Sequence, residues 1–77
     1  MDILKQNKLA NELADSMNDR ESFQLYFTFC QKYSEEFLRK IQTKVLSIPE
    51  NKIRKTRGAL FTFLVKQHGK ESSNNGD

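Results

Sequence analysis

Tryptophan is absent from this sequence, cysteine, proline and histidine occur once each, and glycine occurs three times. With Cys30 as the single cysteine, no disulfide can form within the chain. Cys30 and His68 together cannot fill the four-ligand shell of a structural zinc, so neither a metal nor another cofactor is expected. One cysteine among apolar neighbours suits a reducing setting, and a cytoplasmic location is the expectation. The N-terminal residues Met1-Asp2-Ile3-Leu4-Lys5 show no cationic stretch followed by an apolar run, so no signal peptide is read there. Apolar runs such as Ala59-Leu60-Phe61 are far too short to span a bilayer, and no membrane partner is expected. A glycine-rich phosphate loop is also missing, since Gly58 stands alone and Gly69 and Gly76 lie near the end.

What is present begins with a divided charge. Residues 1–48 carry seven basic and seven acidic side chains and cancel. Residues 49–70 carry six basic residues against Glu50 alone, a net charge of +5 within an overall +3. The basicity is therefore local. A chain of 77 residues holds one domain. A core of this size supplies only about 3–5 kcal/mol, which leaves good helix packing or self-association to stabilise it.

Hydrophobic periodicity points to helices throughout. Leu9, Leu13 and Met17, with Ala10 and Ala14 beside them, form a narrow stripe over residues 3–17, as expected of a peripheral helix. Asn18 and Glu21 have the spacing of a capping box for a second helix over residues 20–33. Its apolar face carries Phe23, Tyr26, Phe27, Cys30 and Tyr33, while Leu25 and Phe29 form a second stripe. Ser34 caps a third helix, with Glu35 and Glu36 in the turn where the macrodipole favours carboxylates. Phe37, Leu38, Ile41, Val45 and Ile48 then repeat at helical spacing up to Pro49, which excludes its predecessor from the α region. Ser47-Ile48-Pro49-Glu50 reads as a further capping signature.

Beyond Pro49 the pattern admits two forms: one helix to His68, or a short turn followed by a helix from about Thr56. On a continuous helix Arg57 would fall within about 40° of Ile53 and crowd the buried face, which favours the break. Ile53, Leu60, Phe61, Leu64 and Val65 serve as core in either form. Gly58 marks close packing or a bend, and Gly69 is expected to stop the last helix. The expected fold is all-α, a compact four-helix array or bundle, with the last helix broken near Lys55 and Arg57. Residues 1–69 form the domain, and the apolar-free tail 70–77 is expected to be disordered.

No catalytic residue is legible, and the chain is not expected to be an enzyme or to take a small-molecule substrate. Glu35 and Glu36 diverge by about 100° on a helix and cannot converge on one substrate atom. Cys30 lies on an apolar stripe with no base in view, as a structural cysteine does. His68 reads as a solvated residue near a helix C-terminus, where a cation suits the dipole.

Two clusters remain as candidates. Lys52, Arg54, Lys55, Thr56 and Arg57 gather cations and a hydroxyl at a helix start, where an anion or a nucleic-acid phosphate could be held. The plainer reading is a solvated basic turn. Leu25, Phe29 and Phe63 point away from the best core stripes and would form a protein-interface patch if exposed together. The plainer reading there is that another helix covers them. Lys55 to Lys66, with Gly58-Ala59-Leu60-Phe61 at its centre, is similar to helical tails in plasmid and phage replication-associated proteins. It lacks the Asn-Pro that often precedes that glycine, and no residue's role is carried across. The leading expectation is a small helical module for protein docking or homodimer formation. The alternative is weak nucleic-acid binding through residues 52–57.

Overall fold

The computed structural model describes the backbone of residues 1–73 and the side chains of residues 1–69. Four α-helices make up the described residues: α1 (Ile3–Ser16), α2 (Phe23–Lys32), α3 (Glu35–Leu46) and α4 (Arg57–Ser73). Short 3-10 turns, Arg20–Ser22 and Glu50–Lys52, precede α2 and α4. No strand occurs among the described residues. The fold is all-α, as the periodicity predicts.

Asp2 starts α1 by accepting from the Lys5 amide at 2.8 Å, a cap that satisfies a first-turn donor. α1 packs chiefly on α2, and α4 chiefly on α3. α1 covers the domain from one side: the stripe Leu9, Ala10, Leu13, Ala14 and Met17 is at most 2% exposed, while Ile3, Leu4, Lys8 and Asp15 face outward. The alanines in the stripe let the α1 backbone approach α2 closely, so a narrow stripe here serves a deep contact.

The capping box at Asn18 is also corrected. Asn18 has a left-handed backbone (φ 54°) and terminates α1 instead of starting α2. Its amide donates to Asp15 O at 3.0 Å, and that of Asp19 donates to Ala14 O at 2.8 Å, the two bonds of a Schellman stop. The chain then makes the 3-10 turn, and α2 begins only at Phe23. On α2 the buried residues are Tyr26, Phe29 and Cys30. Phe23, Phe27 and Tyr33 sit half-buried against the core. The core stripe thus includes Phe29 because Phe61 of α4 packs on both Tyr26 and Phe29, with ring centroids 5.6 and 6.2 Å apart.

Ser34 caps α3 as expected, accepting from the Phe37 amide at 3.2 Å. Leu38, Ile41 and Val45 form its buried face. The second capping signature does not operate: Ser47 Oγ turns back to donate to Lys44 O at 2.7 Å, and the following turn has no side-chain cap. The break before the last helix is present. Gly69 does not stop α4, which runs to Ser73, and no glycine among the described residues has positive φ. Gly69 lies against Tyr33 so closely that an added Cβ would stand 2.7 Å from the ring, so it serves close packing. The tail expected to be disordered, residues 70–77, has its side chains outside the described residues, and residues 74–77 lie outside them altogether.

Candidate nucleic-acid interface

Residues 49–57 leave α3, turn and enter α4, and their geometry is set at both ends. Pro49 is extended (ψ 143°), and the turn closes when the Lys52 amide donates to Pro49 O at 2.9 Å and that of Ile53 to Glu50 O at 3.1 Å. Ile53 then becomes extended and half-buried, which pins the middle of the segment. Thr56 caps α4: its Oγ1 accepts from the Ala59 amide at 3.0 Å, and its carbonyl accepts from Leu60 at 3.0 Å.

Arg57 is turned inward. Its Nη1 donates to Val45 O at 3.0 Å and to Ile48 O at 3.2 Å, at the end of α3 where carbonyls lack helical partners. A guanidinium there also meets the negative end of the α3 macrodipole. The expected anion cradle of Lys55, Thr56 and Arg57 is therefore divided. Thr56 and Arg57 stabilise helix ends, while Lys52, Arg54 and Lys55 remain exposed. Those three make no ion pair among the described residues, where the pairs are Arg20 with Asp15 and Arg39 with Glu12 and Glu35. An open cleft of about 220 Å³ lies beside them, lined by Lys55, Thr56 and Arg57 together with Met17, Asn18, Glu50 and Ile53.

The aromatic candidates separate as well. Phe29 is 4% exposed and belongs to the core, Leu25 is half-buried against it, and only Phe63 stands out at 61%. The three do not form one exposed patch. Sequence reasoning passed over the start of α1, where Ile3 and Leu4 are 64% and 80% exposed. Their signal was present as two apolar residues ahead of the stripe that begins at Leu9.

The groups with chemical potential are otherwise engaged in structure. Cys30 is buried, and burial, with a smaller contribution from Glu35, pushes its thiol up to about 11. Tyr26 Oη donates to Asp19 Oδ2 at 3.0 Å, and burial followed by that hydrogen bond raises its pKa strongly. Arg39 links α1 to α3 by donating to both oxygens of Glu12 at 3.0 and 3.1 Å, which raises its pKa further. His68 is half-buried, within α4 and not at its end. Among the described residues no group of three His, Cys, Asp or Glu side chains could hold a metal ion, and no helix is long and apolar enough to cross a membrane. Compared with known protein families, curated proteins and solved structures, the chain matches none.

Proposed function

We propose that this chain is a small non-enzymatic binding module that holds nucleic-acid phosphates through Lys52, Arg54 and Lys55. The observation that supports this reading is three exposed cations without carboxylate partners among the described residues, on a segment held at one end by Arg57 and in the middle by Ile53. A segment already ordered loses little entropy on binding. Contacts of this kind go to phosphate oxygens and read little sequence. Three of them give weak affinity, with a dissociation constant on the order of 10⁻⁴–10⁻⁶ M at physiological salt.

The test is affinity for an oligonucleotide at 50 and 200 mM salt. Release of counterions from three phosphate contacts predicts a loss of about 20- to 40-fold between those conditions. Reversing charge with Lys52→Glu and Lys55→Glu should remove most of the binding without altering the circular dichroism spectrum. Salt-independent binding, or binding unaffected by both changes, would overturn the reading.

A second reading, docking on a protein or forming a homodimer, is favoured by the exposed pair Ile3 and Leu4. It predicts association that persists at high salt and is lost in Leu4→Lys, measured by sedimentation. The burial of Phe29 removes the aromatic patch on which that reading first stood.

A further inference from the structure

Phe63 combines an aromatic ring 61% exposed with a position inside the basic region 49–70. On α4, at 100° per residue, Ala59, Phe63, Lys66 and Gln67 fall within an arc of about 100°. All four are exposed. The opposite arc carries the buried Phe61, Leu64 and Val65, so the outward face is set by the packing of the inward one. From Asn51 to Lys70 the sequence contains no Asp or Glu, so α4 itself carries no carboxylate beside Phe63 as far as residue 70. From Phe63 to the first residue of α4, Arg57, is a rise of about 9 Å along the axis, the length of two or three stacked nucleotides. Lys66 lies one turn beyond Phe63 on the other side.

Duplex bases have their faces covered by their neighbours, whereas an unpaired base can stack on an aromatic side chain between phosphate contacts. We propose that the outward face of α4 is a platform for single-stranded nucleic acid, on which one base stacks against Phe63 between phosphates held by Lys66 and by the basic segment. This rests on the phosphate-binding reading above and adds the kind of strand and the residue that selects it.

Because the chain contains no tryptophan, Phe63→Trp supplies a unique fluorescent reporter at an exposed position. The probe is a 12-nucleotide single strand of mixed sequence, compared with the same sequence as a duplex. Quenching of Trp emission by the single strand and not by the duplex is the expected result. Phe63→Ala should weaken single-strand binding by about 5- to 100-fold and leave the duplex affinity and salt dependence unchanged. Salt-dependent binding without quenching, and with no effect of Phe63→Ala, overturns the platform while leaving the phosphate reading standing. No salt-dependent binding to either probe removes both. Emission that shifts with protein concentration and ignores the oligonucleotide assigns Phe63 to contact between copies of the chain, and also overturns the platform.

Discussion

Asn18 is the one non-glycine residue among those described with positive φ, and three elements depend on the turn it makes. The left-handed step places Asp19 so that its carboxylate accepts from Tyr26 Oη at 3.0 Å and from Ser22 Oγ at 3.1 Å. Gly58 of α4 presses on the same pair: an added Cβ would lie 2.5 Å from Asp19 Oδ2 and 2.9 Å from Tyr26 Oη. The stop of α1, the start of α2 and the first turn of α4 thus meet at a polar contact that tolerates little displacement. A Cβ in the left-handed region costs most residues about 1–2 kcal/mol, asparagine less and glycine nothing. Asn18→Ala should lower unfolding stability by about 1 kcal/mol in urea titration, whereas Asn18→Gly should stay within a few tenths of the parent. Equal losses in both variants would show that the asparagine side chain, not the backbone conformation, matters.

At the scale of elements, the clasp between α3 and α4 decides how the basic segment is presented. Hydrogen bonds from a charged donor contribute more than neutral ones, and half-burial limits the competing water. Arg57→Met should therefore cost about 1–2 kcal/mol in thermal unfolding. It should also speed amide exchange in the segment between α3 and α4, and Arg57→Lys should recover part of both effects. If Arg57 instead touches phosphate, its loss would reduce the salt slope of oligonucleotide binding by about one, as loss of Lys55 should.

The break before α4 was legible because Arg57 on a continuous helix would crowd Ile53, and Pro49 fixes where α3 must end. What the side chain of Arg57 does was not legible, because its acceptors are backbone carbonyls, and any residue supplies those. The face of α2 was misjudged for a related reason. Phe27 and Phe29 are chemically equivalent, and only the arrival of Phe61 from a distant helix distinguishes them. Of the candidate site, the cluster's location could be read from charge alone, whereas its division into structural and outward residues depends on tertiary contacts.

Across the whole molecule, α2 packs closely on α1 and receives Phe61 from α4, and it carries both strongly perturbed groups. Cys30 and Tyr26 are 2% and 0% exposed, and each must leave the core or be charged within it if it is to ionise. Both pKa values are raised on folding, so the native state holds these protons more tightly than the unfolded chain. Their contribution to stability is then complete below pH 9 and is lost as pH rises. For Cys30 the window runs from its ordinary value of 9.0 to about 11, a loss on the order of 3 kcal/mol. For Tyr26 it opens at 10.0 and extends upward. The melting temperature should be level to pH 9 and fall beyond it, measured by circular dichroism. Cys30→Ala, though less stable at neutral pH for want of packing, should delay the fall until Tyr26 begins to ionise. At pH 8 a disulfide reagent should label Cys30 no faster than the chain unfolds, because the thiol is both covered and protonated. Rapid labelling of the folded protein, or a melting temperature unchanged between pH 8 and 11, would mean that α2 opens locally and that the core around it is not a single cooperative unit.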